Sequence, residues 1–129
     1  MSISTIDRTG VAISGLCVIH CLLLPVASSV LPMLGVLAEN EIVHKALVAL
    51  AIFPAVFAFS NPIRSKFAIL IRSAALFGIL ALFAGAYVEA FHDFESILTV
   101  IGALSLASAH IWRSFAIRRD PIQPIIEWP

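Results

Sequence analysis

Four long apolar stretches alternate with short polar breaks along the chain. The first runs from about Gly10 to Leu37 and stops before Glu39-Asn40-Glu41. The second covers about Ile42 to Ser60 and ends at Asn61-Pro62, a strong helix breaker. The third covers about Phe67 to Phe91, with Arg72 near one end, where it can snorkel to the interface. The fourth covers about Glu95 to Phe115 and leads into Arg118-Arg119. Each is close to the roughly 20 residues needed to span hydrocarbon. The second and fourth are short enough to imply tilt or local thinning of the bilayer. The pattern predicts an all-α integral membrane four-helix bundle over residues 1–119. An irregular cytoplasmic tail over 120–129 follows, interrupted by Pro121 and Pro124, with Trp128 suited to the membrane interface.

Composition agrees with the pattern. Of the 129 residues, 60% are hydrophobic and 12% charged, about half the charged share of an ordinary soluble domain. Eight basic and eight acidic residues cancel, so no basic excess points to nucleic acid, and the first partner implied is the lipid bilayer. The apolar run from Val11 to Ala38 exceeds a signal peptide's core of about 7–15 residues, so the first segment is expected to be retained. Charge placement gives the orientation. Arg8, then Arg64, Lys66 and Arg72, then Arg113, Arg118 and Arg119 fall on one side, leaving only Lys45 on the other. The positive-inside rule puts both termini in the cytoplasm.

The chemistry-bearing residues lie within these spans. Cys17, His20 and Cys21 project within an arc of about 100° on a helical wheel, so one ion can be reached by all three. Thiolate and imidazole donors suit Zn, Cu or a heavier thiophilic cation. Pro25 leaves the Cys21 carbonyl without its helical partner and predicts a bend. A disulfide between the two cysteines at i, i+4 is disfavoured by their Cβ directions. A packing alternative stands beside this reading. Gly10, Ser14, Cys17, Cys21, Pro25, Ser28 and Pro32 form one stripe about 80° wide, the kind of small-residue surface that lets membrane helices approach closely. His20 gains nothing from packing.

His110 follows Ala103 and Ala107 on one face of the fourth helix. At 1.5 Å per residue, Cys17 to Cys21 lie about 10–17 Å from Gly10, and His110 about 5–9 Å from the end of its helix. Both then fall in the cytoplasmic half, and two thiols with two imidazoles approach a four-coordinate site if helices 1 and 4 are neighbours. The alternative for His110 is a hydrogen bond to Ser14 or Ser105. On the opposite side, His44, His92 and Glu95, with Glu89 and Asp93, read first as a solvated acidic loop; as a site they would collect a cation. Glu95 also suits the first turn of the fourth helix. No Gly-rich phosphate loop, catalytic triad or oxyanion site is evident, so an enzyme is not expected. The expectation is a membrane protein that binds and transports a metal cation. The competing reading is a non-enzymatic accessory protein whose small-residue stripes pack partner helices. On either reading, the small-residue faces of so small a bundle suit pairing into a homo-oligomer.

The stretch "LCVIHCLLLP" and the later "AFHDFESILTVIGALSLASAHIWR" together resemble the MerC-type family of mercury-resistance membrane proteins, in the pattern of its shorter members. The resemblance implies a bacterial inner-membrane protein binding a thiophilic cation, with mercuric ion as the family's named substrate. By position, Cys17 and Cys21 would be the membrane thiol pair, and His20 and His110 belong to the shorter members' pattern. This chain has Cys-x-x-His-Cys where the family's prototype has Cys-x-x-Cys, and no cysteine follows Cys21. The histidines admit Zn or Cu alongside Hg.

Overall fold

The computed structural model describes residues 3–38, 40–61, 63 and 65–119, and no strand occurs among them. The chain is an integral membrane bundle of four helices: α1 (Ile3–Ser28), α2 (Glu41–Ser60), α3 (Ala68–Tyr87) and α4 (Glu95–Arg119). All four are long and apolar enough to cross a membrane. A 3-10 turn at Pro32–Leu34 and a single helical turn at Gly35–Ala38 join α1 to α2, and a longer 3-10 segment, Glu89–Phe94, joins α3 to α4. The expected irregular tail, 120–129, lies outside the described residues.

The first helix departs most from the hydropathy pattern. It starts at Ile3 rather than Gly10, and ends at Ser28 rather than Leu37. Its early start takes Asp7 into the bundle, which is tolerable because Asp7 is fully paired there. Its end is marked by the Ser29 hydroxyl bonding the Val26 carbonyl at 2.6 Å and by Pro32 opening the next turn. The helix runs unbroken through Pro25.

Helix α1 packs against α4 and α2, and α3 packs against α4 and α2 in turn, so the four form a square with α1 and α3 on one diagonal. The interior is rich in small residues: Ala51, Ala55, Ala75, Ala103 and Ala109 are almost completely buried, alongside a few larger ones such as Ile71, Leu82 and Leu106. Phe53, Phe57, Phe77, Phe83 and Phe115 face outward. In water that distribution would be inverted. In lipid it is the expected one, since hydrocarbon solvates large side chains as well as the core does, and close backbone approach supplies the packing.

The closest approach joins α3 and α4 at Gly78 and Gly102. A Cβ on either would stand 2.9 Å from the other's carbonyl oxygen, so backbone rather than a yielding side chain blocks substitution. Nearby, the Ser105 hydroxyl donates to the Ala74 carbonyl at 2.8 Å. Gly102→Ala is therefore expected to lose about 1–3 kcal/mol of stability through forced helix separation. The midpoint of unfolding in a detergent titration reads this, and an unchanged midpoint would show that the two helices can part at little cost.

Asn40 caps α2, its side chain accepting from the backbone N–H groups of Ile42 (3.0 Å) and Val43 (3.2 Å). The Tyr87 hydroxyl donates to the Lys45 carbonyl at 2.9 Å, tying the end of α3 to the first turns of α2. Lys45 also pairs with Glu41. These contacts fix His44, which points into the bundle from that first turn.

Candidate metal centre

One face of α1 carries Asp7, Gly10, Ser14, Cys17 and Cys21 at alternating steps of three and four residues, and all five are buried. Opposite them α4 presents Thr99, Ala103, Leu106, His110 and Arg113 at the matching steps, all buried. The two helices run antiparallel in a fixed register. Cys21 meets Thr99 (Sγ to Oγ1, 3.3 Å), Gly10 lies against the His110 ring, and Asp7 bonds Arg113. Steps of this kind are those of a heptad seam, which keeps one stripe of each helix facing the other along their length. The interface separates into two polar clusters with Ser14 and Leu106 between them.

The first cluster brings four of the expected donors together. Cys17, His20, Cys21, His44 and Thr99, with Leu47 and Val48, line one tightly packed void too small to hold a water molecule. Both cysteines are free thiols. Cys21 Sγ lies 3.9 Å from His44 Nδ1, and Cys17 Sγ lies 3.7 Å from the Leu47 carbonyl oxygen, at the long limit for a thiol bond. The His20 and His44 rings are 6.0 Å apart between centroids. The buried Nε2 of His20 has no hydrogen-bond partner among the described residues. Nor does that of His44, although it stands 3.3 Å from Glu95 Oε1, close enough for an ion pair but badly aligned for a hydrogen bond. A buried imidazole nitrogen without a partner is costly, and two around a thiol-lined void leave lone pairs or protons for a ligand to satisfy.

The expected outer group is continuous with this void rather than separate from it. Glu95 opens α4, where its carboxylate complements the helix dipole. Its second oxygen lies 3.4 Å from Nδ1 of His92, on the 3-10 segment. This arrangement corrects the placement of the cysteines in the cytoplasmic half. Because α1 begins at Ile3, Cys17 and Cys21 lie beyond its midpoint, level with the first turns of α2 and α4.

Of the four donors expected to share the intramembrane site, His110 is the one that the structure does not bring to the void. Helices α1 and α4 are neighbours, as that idea required, but the register sets His110 beside Gly10, well over two turns of α1 away from Cys21. Its partner is neither Ser14 nor Ser105. His110 Nδ1 lies 3.0 Å from Asp7 Oδ1, and Arg113 donates to Asp7 Oδ2 at 2.8 Å. All three side chains are essentially inaccessible. The Phe59 ring completes the cluster, 5.0 Å from the His110 ring and 5.9 Å from the Arg113 guanidinium. Any side chain at position 10 would overlap the His110 imidazole, so glycine is required there. Arg113, expected among the cytoplasmic charges, is instead an interior residue.

Three residues of this interface were not anticipated from sequence: Asp7, Thr99 and Arg113. The signal for Asp7 was present, since it continues the Gly10–Pro32 stripe one step toward the N-terminus. Arg113 follows His110 by three residues, on the same face. Among the described residues, no three His, Cys, Asp or Glu side chains converge tightly enough to cage a metal ion. The donors stand in successive pairs: Cys21 with His44, His44 with Glu95, and Glu95 with His92.

Comparison with known proteins adds one match. Residues 7–114 fit the family model described as MerC mercury resistance protein, from the first turns of α1 to late in α4. No curated protein and no solved structure matches the chain. A match over that length, carried by all four membrane-crossing helices, makes this chain a member of the MerC mercury resistance family.

Proposed function

We propose that the protein transports a thiophilic metal cation across the bacterial inner membrane, with Cys17 and Cys21 as thiolate ligands and His20 and His44 as imidazole ligands. The observation that carries this reading is the convergence of donors on one small void: two free thiols and two histidines whose buried Nε2 atoms have no hydrogen-bond partner among the described residues line it together. Mercuric ion is the cargo favoured by family membership, and a thiolate pair meets its preference for two sulfur donors. The two histidines extend the range to Zn and Cu. The cation is cargo and undergoes no conversion, so no catalytic residues are assigned.

Arg8, Lys66, Arg72, Arg118 and Arg119 lie at the end of the bundle that carries both termini, supporting cytoplasmic termini even with Arg113 withdrawn into the interior. A purely packing role for the cysteines fits less well. Small residues explain the approach of α1 to α4, but a packing stripe has no use for the unsatisfied imidazole of His20.

Cells expressing the chain are expected to accumulate radiolabelled Hg(II) several-fold faster than vector controls, and Cys17→Ser/Cys21→Ser is expected to return them to the control rate. Competition by Zn(II) or Cu in the same assay identifies the preferred cargo. Equal accumulation by wild type and the double variant would remove the thiol pair from the transport path.

A further inference from the structure

The two ends of the α1–α4 seam differ. At the end carrying the termini, Asp7, His110 and Arg113 are interlocked and inaccessible. At the other end, donor side chains lead inward with falling exposure: the His92 side chain is 81% exposed, Glu95 26% and His44 11%. Beyond His44 comes the thiol of Cys21. Each donor lies near the next, at 3.4 Å, 3.3 Å and 3.9 Å in turn. Two ligands bound tetrahedrally to one cation at about 2.0–2.2 Å stand about 3.3–3.6 Å apart. The two contacts of Glu95 match that separation, and the His44 contact lacks the alignment of a hydrogen bond.

We infer that Glu95, shared between His92 and His44, is the loading station through which a hydrated divalent cation of borderline softness reaches Cys21. The inference rests on the reading of the thiol void as the cargo site, and adds a route and a direction to it. The carboxylate attracts and begins to dehydrate the cation where solvent still has access. His92 Nδ1 and Glu95 Oε2 hold it first, then Glu95 Oε1 and His44 Nε2, and last Glu95 and the Cys21 thiolate. Each exchange forms a bond to the incoming residue as the bond to the outgoing one breaks, and Glu95 holds the cation through both. At the last exchange the Cys21 thiol proton passes to the imidazole nitrogen of His44 as the cation leaves that ring. The closed Asp7–His110–Arg113 end makes this the loading face of the conformation seen here.

Stopped-flow mixing of detergent-purified full-length protein with Cd(II), followed by the thiolate-to-metal charge-transfer absorbance, separates loading rate from final occupancy. Glu95→Gln is expected to slow loading about tenfold, within the range by which local charge changes capture rates, and to leave the final absorbance unchanged. His92→Ala, at an exposed position, is expected to slow it several-fold. Loading of Glu95→Gln at the wild-type rate would overturn the station while leaving the thiol site standing. A lost final absorbance in Glu95→Gln would place Glu95 within the thiol site rather than ahead of it, and would overturn the route. Absence of the band in wild type would remove both the thiol site and the station that serves it.

Discussion

Asp7→Ala is expected to cost the bundle about 3–5 kcal/mol, the usual penalty for removing one partner of a buried ion pair. Asp7 is 1% exposed and accepts from two groups at once, His110 on Oδ1 and Arg113 on Oδ2. Without the carboxylate, the Arg113 guanidinium remains charged in a buried site beside the Phe59 ring. It has no nearby substitute, since its Nε already lacks a hydrogen-bond partner among the described residues. Water would ordinarily soften such a loss, but this cluster lies within two membrane-crossing helices, where Coulomb interactions are strong and stranded charges expensive.

Unfolding of the detergent-solubilised protein, followed by circular dichroism, measures the change. The discriminating variant is Asp7→Leu/Arg113→Met, which removes both charges together and is expected to recover a large part of the loss, because an apolar pair of similar volume often replaces a buried ion pair at little cost. If Asp7→Ala stays within about 0.5 kcal/mol of wild type, the range typical of surface substitutions, the cluster does not hold α1 against α4.

This cluster also shows where sequence reading stops. The four spans were legible because each is a run of apolar residues bounded by charges, Pro or Asn, and α2, bounded by Asn40 and Asn61, lies within a residue of its expected limits. The start of α1 was not legible. Hydropathy treats Asp7 as a boundary, whereas the fold admits it because Arg113, distant in sequence, neutralises it. The Cys/His motif placed Cys17, His20 and Cys21 around one void, since spacing on a single helix decides which residues share a face. It could not supply His44, Thr99 or the exclusion of His110, because those depend on how far α1 slides along α2 and α4. A shift of one turn on either helix would change the neighbours of Cys21. The alternating three- and four-residue steps on α1 and α4 contained that register, but recognising it required knowing that these two helices pair.

The second large effect concerns the thiols. Cys17 and Cys21 are the only cysteines in the chain, so Cys17→Ser/Cys21→Ser leaves no thiolate anywhere. Serine keeps the volume and polarity of the stripe and should preserve packing against α4, but a neutral hydroxyl is a poor ligand for a soft cation. His20 and His44 remain and can hold Zn(II) or Cu weakly, so the loss is expected to be near complete for Hg(II) and partial for harder ions. Binding to thiols also releases protons, so retention of the softer cations should weaken on acidification. Thr99→Val tests the same site more gently: it removes the hydroxyl 3.3 Å from Cys21 and leaves both thiols in place.

The most direct measurement is the Hg(II) retained per chain after equilibrium dialysis of the detergent-purified full-length protein against a competing small thiol. The account predicts about one ion per chain for the wild type and almost none for Cys17→Ser/Cys21→Ser, with both proteins showing the same helical circular dichroism. Equal retention by the two folded proteins would contradict it.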